Sequence, residues 1–117
     1  MQINIKALGF TLTKALKEHT RNRIYAHMSR YGERIQRVNV RLDDINGPRK
    51  GEDKRCQIQV TLAGLPSVNI ESIESDMYIA ITRAVDRSGR TVARKIDRFR
   101  DLSIQSVRDS GNKEDLL

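Results

Sequence analysis

The chain has 117 residues, with 22 Lys and Arg against 15 Asp and Glu for a net charge of +7, and one cysteine. That length fits one domain able to bury its own core, and the lone Cys56 excludes an internal disulfide framework, as expected of a reducing cytoplasm. No segment approaches the roughly 18 apolar residues of a membrane helix, the N-terminus lacks the apolar core of a signal peptide, and the positive surplus favours polyanionic partners, nucleic acid before anionic membrane.

Ile3, Ile5 and Ala7 alternate with Gln2, Asn4 and Lys6, which predicts a half-buried strand ended by Gly9. From Thr13 the period changes. Leu12, Leu16, Thr20, Ile24, His27 and Tyr31 recur at steps of three and four and form one helical face, with Gly32 as the stop. Val38, Val40 and Leu42 mark a second strand. Asp43 to Arg55 contains Asn46-Gly47-Pro48 and eight charges that sum to zero, which reads as a solvated loop. Ile58, Val60 and Leu62 make a third strand, Gly64 and Pro66 a turn, and Val68 and Ile70 open a fourth. Ile73 is out of phase with them, so a bulge or an early strand end is expected near Ser72. A second helix begins at Ser75 or Asp76, either of which suits an N-cap, and its apolar stripe is Met77, Ile81, Ala84, Val85, Val92, Ile96 and Phe99. After Asp101 the period dissolves, and residues 102–117 read as a mobile C-terminal tail to a domain of residues 1–101.

The order β-α-β-β-β-α, with strands that each have one apolar face, implies an α+β two-layer sandwich: a four-stranded mixed sheet with both helices on one face. The first two strands, joined through a helix, are expected parallel, and the later ones antiparallel.

The second helix carries the most specific chemistry. Arg83, Arg87, Arg90, Arg94 and Arg98 fall within roughly 80° of one another, about 135° from the apolar stripe, at 100° per residue. Like charges at these spacings repel by a few tenths of a kcal/mol per pair, so folding does not call for them, whereas guanidinium forks match phosphate oxygens. The alternative is a solvated face. Asp86 and Asp97 lie towards one flank, but Glu is absent up to Asp101, where an ordinary exposed helix would mix it with Lys. The first helix adds Lys14, Lys17, Arg21, Arg23, Arg30 and Arg34, spread more widely around its axis. Lys17, Arg21, Arg23 and Arg30, with the five arginines of the second helix, are the candidate RNA-binding residues.

The open sheet face offers Gln2, Asn4, Lys6, Arg37, Asn39, Arg41, Gln57, Gln59 and Thr61. It has none of the interleaved aromatics of a single-strand stacking platform, so recognition is expected to rest on backbone charge and shape, and the bland reading of this face is a solvated surface. No metal motif, phosphate loop or catalytic triad spacing occurs. His27, on the apolar face, reads as a core filler. The expectation is a protein that is not an enzyme and uses no cofactor, metal or small-molecule substrate.

Several short motifs together resemble the ribosome hibernation-promoting factors and their relative, ribosome-associated inhibitor A. Met1-Gln2-Ile3-Asn4-Ile5 is similar to that family's first strand, and Thr13-x-Ala15-Leu16 to the start of its first helix. Asp76-Met77-Tyr78-x-Ala80-Ile81, followed by Asp86 and a basic helix, is the clearest match. The resemblance spans residues 1 to 101 and implies a short-form factor of the same sandwich fold. It would bind the small ribosomal subunit and 16S rRNA, block the sites of messenger and transfer RNA, and silence translation in stress or stationary phase. It also implies rRNA contact at Arg23, Arg87, Arg90, Arg94 and Arg98, and the protein is expected to be monomeric off the ribosome. Ser88-Gly89 departs from the family pattern, and a mid-helix Gly, costing about 1 kcal/mol against Ala, points to a kink or a softened helix. Two other readings remain open: a general double-stranded-RNA-binding module, and a protein-interaction regulator of transcription.

Overall fold

The computed structural model describes the backbone of residues 1–45 and 53–116 and the side chains of these through residue 102. Strand β1 (Gln2–Leu8) alternates exposed and half-buried positions. Gly9 closes it at φ +82°, a left-handed conformation that glycine adopts without steric cost. Thr13 is extended, and its hydroxyl accepts the Leu16 amide at 3.2 Å, capping helix α1 (Lys14–Met28). The buried stripe of α1 is Leu16, Thr20, Ile24 and Met28, a strict four-residue step. Met28 therefore takes the core position expected of His27. A single 3₁₀ turn, Ser29–Tyr31, follows, so Gly32 closes that turn and not α1.

Strands β2 (Ile35–Asp44), β3 (Lys54–Leu62) and β4 (Val68–Glu74) complete a sheet of order β1-β2-β3-β4. β1 runs parallel to β2, and β2–β3 and β3–β4 are antiparallel, as expected from the connections. The register shift lies in β2, between Ile35 and Arg37, and it lets both Ile35 and Val38 face the core. No shift occurs at Ser72: β4 runs regularly past it, with Ser72 buried and Ile73 turned outward opposite Arg55. The bulge expected near Ser72 is thus replaced by an inverted pair, in which a hydroxyl occupies the core side and an isoleucine the open face. The loop expected over 43–55 is shorter than its composition implies. Asp43 and Asp44 extend β2, Lys54 and Arg55 open β3, and Asp43 is buried against the Arg55 guanidinium at 2.7 Å. Residues 46–52, with the Asn46-Gly47-Pro48 turn, lie outside the described residues.

Helix α2 (Met77–Leu116) is capped by Asp76, whose carboxylate accepts the Tyr78 amide at 2.8 Å and the Ile79 amide at 3.4 Å. It packs on β3 and β4, and α1 packs against it, so both helices cover one face of the sheet. Its backbone continues without a break past Asp101, where the apolar period fades. The core joins Leu16, Ile24 and Met28 of α1 to Val38, Val40, Leu42, Cys56, Ile58 and Val60 of the sheet, and to Ile81, Ala84, Val85 and Val92 of α2.

Gly89 explains the departure at the middle of α2. A Cβ there would lie 3.1 Å from the His27 Cβ and 3.4 Å from the His27 carbonyl oxygen. A side chain there would force His27, and with it α1, to give way by a few tenths of an ångström. The helix does not end there; Ser88, fully buried beside it, satisfies its hydroxyl by donating to the Ala84 carbonyl at 2.7 Å.

Candidate nucleic-acid interface

The apolar stripe of α2 faces the sheet through Ala80, Ile81, Ala84, Val85, Val92 and Ile96, which fixes the direction of the arginines on its other side. Arg83, Arg87, Arg90, Arg94 and Arg98 are all exposed. Arg83, Arg87, Arg90 and Arg94 run along the flank that borders β4, one of the two edge strands of the sheet. Arg83 pairs with Glu74 of that strand at 2.7 Å, and Arg87 donates to the Glu71 main-chain oxygen at 3.2 Å. Arg87, Arg90 and Arg94 line a shallow groove with Thr91, Ala93 and Ile70. Among the described residues, Arg87, Arg90, Arg94 and Arg98 have no carboxylate within 4 Å. Arg83 is paired with Glu74, while the other four, among the described residues, turn their charge to solvent without a carboxylate partner.

On α1, Lys17 and Arg21 are exposed, as is Arg30, whose guanidinium lies 5.2 Å from the centre of the Tyr31 ring. Arg23 is different. It reaches across the seam between the helices to Asp86 at 2.9 Å, and His27 approaches the same carboxylate oxygen at 2.8 Å. Both side chains retain about a third of their exposure, 34% for Arg23 and 35% for His27. The core role expected of His27 is thereby corrected: it is a polar member of an Arg23–Asp86–His27 group that bridges the helices. Nothing in the sequence spacing joins residues 63 apart, so this group was legible only in three dimensions. His19 makes a second seam contact, edge-on to the Tyr78 ring at 4.9 Å and 3.3 Å from the Thr82 hydroxyl.

The open face of the sheet is a shallow polar concavity. Asn4 donates to Asn39 at 3.1 Å, and Asn39 in turn to Gln59 at 3.5 Å, across three strands. Arg41 and Arg55 both engage Asp43. Its basic residues are thus partly spoken for, whereas Arg87, Arg90, Arg94 and Arg98 of α2 have no carboxylate partner among the described residues.

A further cluster was not singled out by the sequence. Arg30 and Tyr31 of the 3₁₀ turn and Arg34 of the link to β2 meet Phe99 and Arg100 of α2 around one concavity. Arg34 lies over the Phe99 ring at 4.8 Å and donates to the Ala63 carbonyl at 3.2 Å. Phe99 belongs to the expected apolar stripe, but the buried stripe ends at Ile96, and Phe99 is 37% exposed.

Cys56 is buried in β3, and loss of hydration pushes its thiol up to about 12. The Lys54 ammonium is held above its ordinary value chiefly by its hydrogen bond to Asp44. Among the described residues no cluster of His, Cys, Asp or Glu has the makings of a metal site.

The fold and the exposed arginine flank define the class: a small, basic β-α-β-β-β-α sandwich. Within that class the chain belongs to the sigma 54 modulation protein / S30EA ribosomal protein family, whose sequence profile matches residues 3–100. The N-terminal domain of Protein Y from Thermus thermophilus is similar to it at 30% identity and a TM-score of 0.68, over 80% of this chain and 98% of that one. A ribosomal subunit interface protein from Coxiella burnetii shares the fold at 18% identity and a TM-score of 0.62, over 86% of this chain and 99% of that one. No curated protein matches the sequence. The family drawn from Asp76-Met77-Tyr78 and its neighbouring motifs is therefore borne out.

Proposed function

We infer that this protein associates with ribosomes and binds the small subunit through 16S rRNA. There it blocks the messenger- and transfer-RNA sites and silences translation during stress or stationary phase. The observation that carries this reading is the row Arg87, Arg90, Arg94 and Arg98, exposed and without carboxylate partners among the described residues, on a member of the S30EA family. Such a row costs the free helix some self-repulsion, which phosphate oxygens relieve while accepting paired hydrogen bonds. Lys17, Arg21 and Arg30 on α1 widen the basic surface, and Arg83 contributes once Glu74 yields it. Arg23 acts from the seam, held by Asp86 until rRNA competes for it. Residues 1–101 are the ribosome-binding unit, and 102–117 extend it. The protein works in the cytoplasm, monomeric off the ribosome and without catalysis or cofactor; no helix among the described residues is long and apolar enough to cross a membrane.

The test is sedimentation with purified ribosomes through a sucrose gradient at low and moderate salt. The natural protein is expected to travel with the small subunit and the monosome. A variant with Arg87→Glu, Arg90→Glu and Arg94→Glu together, shown folded by circular dichroism, is expected to stay at the top. If the variant still travels with ribosomes at moderate salt, the arginine row is not the contact. If the natural protein binds long RNA duplexes as well as it binds ribosomes, the general duplex-binding reading replaces this one.

A further inference from the structure

The concavity between residues 29–34, which follow α1, and the Ile96–Arg100 stretch of α2 has a volume of about 510 Å³, within the roughly 300–1,000 Å³ of small-ligand clefts. Its lining brings together Tyr31, Phe99, Arg30, Arg34, Arg100 and Glu33. Three guanidinium groups against Glu33 in the lining and Asp97 beside Arg100 leave a local surplus of one positive charge. The rings are not core filling. Phe99 remains 37% exposed one turn beyond the buried Ile96, and Tyr31 only packs against the core's edge. Each ring is paired with a guanidinium, Arg30 at 5.2 Å from Tyr31 and Arg34 at 4.8 Å from Phe99. Arg34 is fixed further by its bond to the Ala63 carbonyl. Arg100 is held loosely, 3.5 Å from Asp97 with 62% of its side chain exposed.

Planar rings and planar guanidiniums are the surfaces on which nucleobases stack. A guanidinium that lies on a ring keeps its N–H groups in plane and directed outward, available to phosphate. We propose that this pocket binds a nucleotide, stacking its base on the Phe99–Arg34 and Tyr31–Arg30 surfaces and receiving its phosphate from Arg100. An acidic peptide would use the arginines but leave the rings idle. The source is either an unpaired nucleotide of an RNA strand or a free nucleotide. Only the first of these rests on the ribosome reading above.

The full chain is titrated with adenosine and guanosine monophosphates, with a single-stranded hexauridine and with inorganic phosphate, following the ring resonances of Tyr31 and Phe99. Nucleotide or strand is expected to shift both rings, and inorganic phosphate is not. Phe99→Leu, which keeps an apolar cover, is expected to weaken binding at least about fivefold, the lower end of measured base–aromatic stacking. Arg100→Gln, on an exposed position, is expected to weaken binding while leaving the ring shifts in place, and it tests the site if Phe99→Leu misfolds. Binding of the strand alone assigns the pocket to RNA, and monophosphates bound as tightly as the strand assign it to free nucleotide; both support the pocket. Silent rings, or an acidic hexapeptide that competes as well as the strand, overturn it. These titrations use no ribosomes, so a chain that sediments with ribosomes but shows silent rings loses only this inference, and the reverse result loses only the ribosome reading.

Discussion

At the scale of single residues, charge and burial decide what each group can do. Cys56 sits in the sheet with no exposed surface, and desolvation holds its thiol protonated, with the pKa pushed from 9.0 up to about 12. The thiolate is the reactive species, so the native protein at pH 8 is expected to leave a thiol-specific reagent unreacted, with one equivalent consumed after unfolding in denaturant. The linked stability has a definite sign. A pKa raised in the folded state contributes in full below 9.0 and is lost as pH climbs towards about 12, so the denaturation midpoint is expected to fall across that window and to fall less in Cys56→Ala. Rapid labelling of the native protein at pH 8 would show that β3 opens. Arg23 illustrates the opposite case. Its sequence neighbours mark it as one more cation of α1, yet Asp86 and His27 draw it into the seam. Residue type was legible along the chain; the partner of each charge was not, because the partner lies on another element.

At the scale of elements, periodicity located both helices and all four strands, since each needs one apolar face to join the core. It failed where a small or polar residue takes an inward position. Ser72 and Ile73 break the alternation of β4, yet the strand is regular, because pairing with β3 outweighs one misplaced side chain. Gly89 reads as a weakness in α2 and is instead a point of close approach to α1. Gly89→Ala would gain about 1 kcal/mol of helix propensity but drives a Cβ to 3.1 Å from that of His27. With a main-chain oxygen also close by, the seam has little room to yield. The variant is expected to lower the thermal midpoint by several degrees, which is about 1 kcal/mol for a domain of this size. A raised midpoint would mean that the two helices separate easily. The same substitution is expected to disturb Arg23, because it widens the gap that Arg23 and Asp86 bridge.

At the scale of the whole molecule, the two faces divide the work. The sheet's open face ties its amides and several of its charges to one another, while the helical side leaves four arginines of α2 unpaired among the described residues. If those arginines meet phosphates, ribosome affinity falls with salt along a log–log line whose slope carries about 0.7 to 0.9 for each phosphate neutralised. Arg90→Gln is expected to reduce that slope by one such increment with its affinity loss shrinking as salt rises, whereas Lys6→Gln on the sheet face is expected to leave it unchanged. Equal effects of the two substitutions would spread the contact over the whole surface. The element order, the sandwich, the mixed sheet and the row of arginines were legible along the chain, because each follows from local period and from the spacing of like residues. The packing of the elements shows that Arg83, Arg87, Arg90 and Arg94 border the β4 edge, that Arg23 is shared with Asp86 and His27, that Gly89 is a contact, and that Tyr31 and Phe99 share a pocket. Those facts join residues far apart along the chain, and their distances are set by how α1 and α2 pack together on the sheet.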